Sequence, residues 1–147
     1  MIKKKVLFVC LGNICRSPTA EGIARVLAKK SDIEFDSAGL GSWHIGKPPH
    51  LTTQKVAQEK GFPIDDLRAR KVSPSDFSEF DYIVAMDKSN FEELAEIQKK
   101  HPGKAKLRML LPNNESVPDP YYGEKDGFYE TFEIIHSGLE AFLKEML

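Results

Sequence analysis

The sequence predicts an open α/β fold, a parallel sheet of four strands with helices on both faces. Short runs that are apolar throughout, at residues 6–9 and 82–86, read as strands buried on both sides. Between such runs lie segments whose apolar residues recur at helical spacing, the alternation that builds a parallel sheet. The chain has 147 residues, 41% hydrophobic and 29% charged, as expected of one domain spanning residues 1–147 with a sizeable core.

The elements follow in order. Residues 4–9 form the first strand, continuous and apolar as a central strand is. The first helix covers about 18–29, with Ala20, Ile23, Ala24 and Leu27 as its buried stripe. Residues 33–37 make a short second strand. Gly39, Gly41, Gly46, Pro48 and Pro49 then mark a loop. A second helix covers 51–60 and stops at Gly61. The third strand is 82–86. Ser89-Asn90-Phe91-Glu92 reads as a capping box that starts a third helix, ending near His101-Pro102-Gly103. Residues 106–110 form the fourth strand, and 112–127 a long loop with three prolines. The last helix uses Phe128, Phe132, Ile135, Leu139 and Phe142 as its apolar face and reaches the C-terminus. No internal repeat or linker interrupts this order.

Chemistry concentrates where the first strand ends, at Cys10-Leu11-Gly12-Asn13-Ile14-Cys15-Arg16-Ser17-Pro18. A cysteine followed six positions later by an arginine is what thiolate attack on a phosphate monoester requires. If the loop curls on itself, its amide N–H groups make an anion nest, and the following helix adds the positive end of its dipole. Arg16 can grip two phosphate oxygens at once. The same field favours the Cys10 thiolate, the reactive form. Gly12 and Asn13 are the residues best able to take φ > 0 in a tight turn. Ser17-Pro18 reads as an N-cap followed by proline at the first helical position. In open α/β folds ligands bind beyond the carboxyl ends of the strands, where Cys10 lies. The leaving group of such a reaction needs a proton, and Asp119, between Pro118 and Pro120, is the candidate general acid.

Bulk properties exclude several classes. A net charge of −1 gives no general attraction to nucleic acid or anionic membranes, and Lys3-Lys4-Lys5 is too short a run to change that. The apolar stretch after it is about five residues, below the ~7–15 of a signal peptide core. No stretch approaches the ~20 apolar residues of a membrane span. Two cysteines in one loop do not staple a fold, which points to a reducing, cytoplasmic setting. His44, His50, His101 and His136 lack paired spacing, so neither a zinc site nor any other metal or cofactor is expected.

Residues 6–18 resemble the active-site loop of the low-molecular-weight protein tyrosine phosphatases. Further matches are Asp36-Ser37-Ala38-Gly39, Trp43-His44-Ile45-Gly46, Ala69-Arg70, the run from Phe80 to Asp87, Ser89-Asn90, and Asp119-Pro120-Tyr121-Tyr122-Gly123. The resemblance implies strand order 2-1-3-4 and a phosphatase that acts on phosphotyrosine in proteins. It implies Cys10 as nucleophile, Arg16 as phosphate clamp and Asp119 as acid and then base. The loop Leu11, Gly12, Asn13, Ile14, Cys15, Arg16 and Ser17 would bind phosphate, with Leu11 and Ile14 along the floor. It assigns Ser17 a hydrogen bond to the Cys10 sulfur, Ser37 and Asp87 supporting roles, and Trp43, Tyr121 and Tyr122 the cleft mouth. It also implies a reversible Cys10–Cys15 disulfide that protects the nucleophile from oxidation. Many members carry a histidine where Leu67 stands, three positions before Arg70; without it, Asn13 needs a different support or the loop is softer. A monomer or weak dimer is expected.

Other functions are weighed on the same residues. A protein-arginine phosphatase of this fold is the nearest alternative, although such enzymes tend to carry threonine where Ile14 stands. An arsenate reductase needs more cysteines than Cys10 and Cys15 to relay a disulfide outward. An idle phosphopeptide-binding module has no support while Cys10, Arg16 and Asp119 are all present.

Overall fold

The computed structural model describes residues 4–120 and 124–146. Strand β1 (Lys4–Cys10) leads to helix α1 (Arg16–Leu27), β2 (Ile33–Gly39), α2 (Leu51–Glu59), α3 (Asp76–Glu79), β3 (Tyr82–Ala85), α4 (Lys88–Lys100), β4 (Lys106–Met109) and α5 (Lys125–Met146). The four strands form one parallel sheet in the order β2-β1-β3-β4. β1 is therefore central, and Val6, Leu7, Phe8 and Val9 are fully buried.

Alternation along β1 divides the interior in two. Val6 and Phe8 face one core with Ile23 and Ala24 of α1, Val56 of α2, and Phe132, Ile135 and Phe142 of α5. Leu7 and Val9 face the other, with Phe77 and Phe80 around α3 and Leu94 of α4. Phe8 stacks on Phe35 of β2, ring centroids 6.0 Å apart, and meets Phe142 edge-on. Among the described residues no helix is long and apolar enough to cross a membrane.

Several boundaries differ from the sequence expectation. β1 runs on to Cys10 and β2 to Gly39, because those residues still pair in register. α1 starts at Arg16, two residues early, so Ser17 is not its N-cap; Cys15 holds that position without a side-chain capping bond. Asp87, not Ser89, caps α4: its carboxylate accepts from the Asn90 N–H at 2.6 Å. The four-residue α3 was not expected, since one helical turn leaves little periodicity to read. Only Asn13 of the Gly12-Asn13 pair has a positive φ, 58°.

Candidate active site

Five residues join β1 to α1, and the carbonyls around this turn are bonded outward. Cys10 O accepts from the Leu40 N–H at 3.0 Å, Leu11 O from Gly41 at 2.8 Å and Ile14 O from His50 at 2.9 Å. Cys15 O accepts from the Thr19 hydroxyl at 2.7 Å. With carbonyls facing the scaffold, amide N–H groups are left for the inside of the turn, the geometry of an anion nest. Asn13 makes the reversal possible through its left-handed backbone. The end of β2 must be glycine: a Cβ on Gly39 would lie 3.0 Å from both the Gly12 carbonyl carbon and the Leu11 oxygen.

Hydrogen-bond donors converge on the Cys10 sulfur. The N–H groups of Asn13 and Ser17 point at Sγ from 3.3 and 3.5 Å, and the Ser17 hydroxyl lies 3.0 Å away. Behind them the Asn13 amide donates to Ser17 Oγ at 2.8 Å and to Ser37 Oγ at 3.0 Å. Its oxygen accepts from the Arg70 N–H at 3.0 Å. Asn13 thus holds two hydroxyls and one backbone group. Leu67, at the position of the family histidine, packs on the apolar core instead.

Arg16 is 2% exposed. Its Nη1 donates to Asp87 at 2.6 Å and to the Val117 carbonyl at 3.0 Å, while Nη2 lies 3.5 Å from Asp119. Burial works against its charge, but Cys10, Asp87 and Asp119 together outweigh that and hold the guanidinium above its ordinary pKa. One edge is anchored and the other faces the cavity. Asp87 serves two elements at once, with Oδ1 capping α4 and Oδ2 holding Arg16. Burial pushes the Cys15 thiol up to about 12. Both cysteines are unbridged.

These groups surround a cavity of about 490 Å³ lined by Cys10, Leu11, Gly12, Ile14, Cys15, Arg16, Trp43, His44 and Asp119. Trp43 is 65% exposed, with its ring laid across Gly41, where a Cβ would overlap it. Asn13, Ser17, Ser37 and Asp87 stand behind the lining as its support. Tyr121 and Tyr122 lie outside the described residues. Three contributors escaped the sequence reading. His44 lines the cavity beside Gly12, and its place directly after Trp43 was the available signal. The Val117 carbonyl leaves no side-chain trace. Glu21 sits 2% exposed behind Ser37, and a charge set beside the apolar stripe of the first helix was its signal.

A family model described as low molecular weight phosphotyrosine protein phosphatase matches residues 5–147. The low molecular weight protein-tyrosine-phosphatase YfkJ of Bacillus subtilis is 45% identical, covering 94% of this chain and 92% of that protein. The crystal structure of YfkJ superposes with a TM-score of 0.90 at 42% identity, covering 99% and 96% of the two chains. The crystal structure of a Drosophila arginine phosphatase superposes with a TM-score of 0.90 at 36% identity over 97% of each.

Proposed function

Because the chain belongs to the low molecular weight phosphotyrosine protein phosphatase family, a family of hydrolases, we propose that it hydrolyses phosphotyrosine in proteins through a phosphocysteine formed on Cys10. The observation that carries this reading is the convergence of two N–H donors and the Ser17 hydroxyl on the Cys10 sulfur, in a cavity shared with Arg16 and Asp119.

The substrate phosphoryl group sits in the turn with its oxygens on the inward N–H groups and on the edge of Arg16 that faces Asp119. The Cys10 thiolate attacks phosphorus as the bond to the phenolic oxygen breaks. Asp119 gives its proton to that oxygen. The donors on sulfur and the guanidinium are already in place, so little reorganisation is needed as charge shifts. In the second step the Asp119 carboxylate takes a proton from water, whose oxygen attacks phosphorus. The P–S bond breaks and its electrons return to sulfur, assisted by the Ser17 hydroxyl. Leu11 and Ile14 line the apolar part of the slot, and Trp43 flanks its mouth. Small aryl phosphates fit the same scheme. The proposal includes a cytoplasmic monomer or weak dimer that uses no cofactor.

The test is a rapid acid quench of enzyme mixed with a phosphotyrosyl peptide. A phosphoenzyme near one per chain is expected, lost in Cys10→Ser; turnover persisting in that variant overturns the assignment. The likeness to an arginine phosphatase structure supports a second reading, hydrolysis of phosphoarginine. Ile14 on the cavity wall argues against it. The kcat/KM ratio for phosphotyrosyl and phosphoarginyl peptides separates the two, and Ile14→Thr should move that ratio toward phosphoarginine.

A further inference from the structure

Glu21 lies in α1 with almost no solvent contact, and the proposed chemistry does not use it. Its Oε1 accepts from the Ser37 hydroxyl at 2.7 Å. Ser37 Oγ accepts from the Asn13 amide at 3.0 Å, and the same amide donates to Ser17 Oγ at 2.8 Å. Ser17 Oγ stands 3.0 Å from the Cys10 sulfur. A continuous chain of hydrogen bonds therefore links a buried carboxylate to the nucleophile.

The direction of the protons along this chain is set at both ends of the Asn13 amide. Its oxygen is committed to the Arg70 N–H, so its nitrogen must face the two serines. Ser37 then has to accept from Asn13 and needs somewhere else to send its own proton. An ionised carboxylate only accepts, and Glu21 supplies that acceptor. Ser17 likewise accepts from Asn13, which leaves its proton for Cys10 or for the Ala38 carbonyl at 3.5 Å. The other carboxylate oxygen of Glu21 is ion-paired with Arg25. Arg25 is half-exposed and also donates to the Phe35 carbonyl at 3.3 Å, whereas Ser37 is buried and has Glu21 as the acceptor for its proton.

We propose that Glu21 is a positioning residue for the nucleophile: by taking the Ser37 proton it keeps Ser37 as an acceptor for the Asn13 amide that Arg70 orients, and the Asn13 amide so held leaves the Ser17 hydroxyl proton for the Cys10 thiolate. This role rests on the proposed phosphocysteine chemistry, but its first readout does not require turnover. Burial raises the Glu21 pKa, partly offset by Ser37 and Arg25 and reinforced by Asp36 and Asp66. Ser37 and Arg25 are the two partners that favour the charged carboxylate against burial.

The test is Glu21→Gln. Glutamine replaces one carboxylate oxygen by a donor and removes the charge, so the one oxygen left cannot serve Arg25 and Ser37 together and the terminal acceptor of the chain is weakened. Alkylation of Cys10 by neutral iodoacetamide, at a pH low enough for the rate to follow the thiolate fraction, reads the thiolate without phosphate chemistry. Competition by inorganic phosphate reads the amide cradle and Arg16. The expected result is alkylation slowed about tenfold, roughly the effect of one lost charge-assisted bond, with the half-protecting phosphate concentration within about twofold of wild type on the same scale. A distorted turn would change both. Ser37→Ala cuts the chain one link nearer the thiol and leaves the Glu21–Arg25 pair in place. It should slow alkylation similarly, and the double variant should be no slower than the worse single one. Unchanged alkylation in Ser37→Ala overturns the proposal even if Glu21→Gln fails to fold, and so do additive losses or parallel losses of phosphate protection. If wild-type enzyme alkylates as expected yet forms no phosphoenzyme, the phosphatase reading fails and the relay stands.

Discussion

The turn from Cys10 to Arg16 and the segment carrying Asp119 meet across one cavity but are held by different means. Apart from Leu11 and Gly12 at the cavity rim, the turn is buried, and it is bonded to the scaffold through outward carbonyls, Asn13, Ser37 and the end of β2. The acid segment is tied at a few points. The Val117 N–H donates to Met86 O at 2.8 Å, and Pro118 O accepts from Thr131 at 3.3 Å. Between these anchors and the buried Pro120, Asp119 projects with its side chain 41% exposed. The difference suits the two proposed tasks. A nucleophile and anion cradle must be placed before substrate arrives, whereas a proton donor must reach a leaving group that varies between substrates.

The largest effect should come from the centre of the rigid turn. Cys10→Ser is expected to lower aryl phosphate turnover on the order of 10⁴-fold or more while inorganic phosphate still binds. More than a tenth of wild-type turnover would show that another group attacks phosphorus. Arg16→Lys is next, at about 10²–10³-fold in kcat/KM, because a point charge replaces a planar donor held by Asp87 and Val117. Near-normal kinetics would remove Arg16 from the phosphoryl group.

Across the cavity, Asp119→Asn should cost about 10²-fold with phosphotyrosine, whose phenol has a pKa of about 10. It should cost far less with aryl phosphates of acidic phenols, which leave unaided. Equal losses over a series of leaving groups would make Asp119 a structural residue.

Stability should divide along the same line. Gly39→Ala forces a Cβ against the backbone of Gly12 and Leu11, neither of which can give way cheaply. Urea unfolding should show a loss of about 1–3 kcal/mol, together with lower activity. Ser116→Ala, on the exposed acid segment, removes only a bond from the Lys88 N–H and should stay within about 0.5 kcal/mol. Comparable losses would mean that the two loops are equally constrained.

The smallest effect concerns Cys15. Its thiol, held protonated by burial, is a slow attacker on oxidised Cys10. After brief peroxide treatment, reductant should recover wild-type activity only a few fold better than Cys15→Ser. Equal recovery would assign Cys15 to packing alone.

The sequence by itself determined the sheet, its central strand and the place of the proposed nucleophile. Residues 6–9 are apolar at every position, which only a strand covered on both faces tolerates, and the cysteine–arginine spacing is local chemistry on a single turn. Tertiary structure decided what depends on groups distant in the chain. Asp87 caps α4, yet it also anchors an arginine 71 positions earlier. Ser17 looked like a helix cap, but the helix begins a residue before it and its hydroxyl turns to sulfur. Glu21 resembled one more polar residue on a helix until the fold set Ser37 against it. Local propensity is written in neighbouring residues, whereas the direction of a buried hydrogen bond is settled only when every donor and acceptor around it has been brought into place.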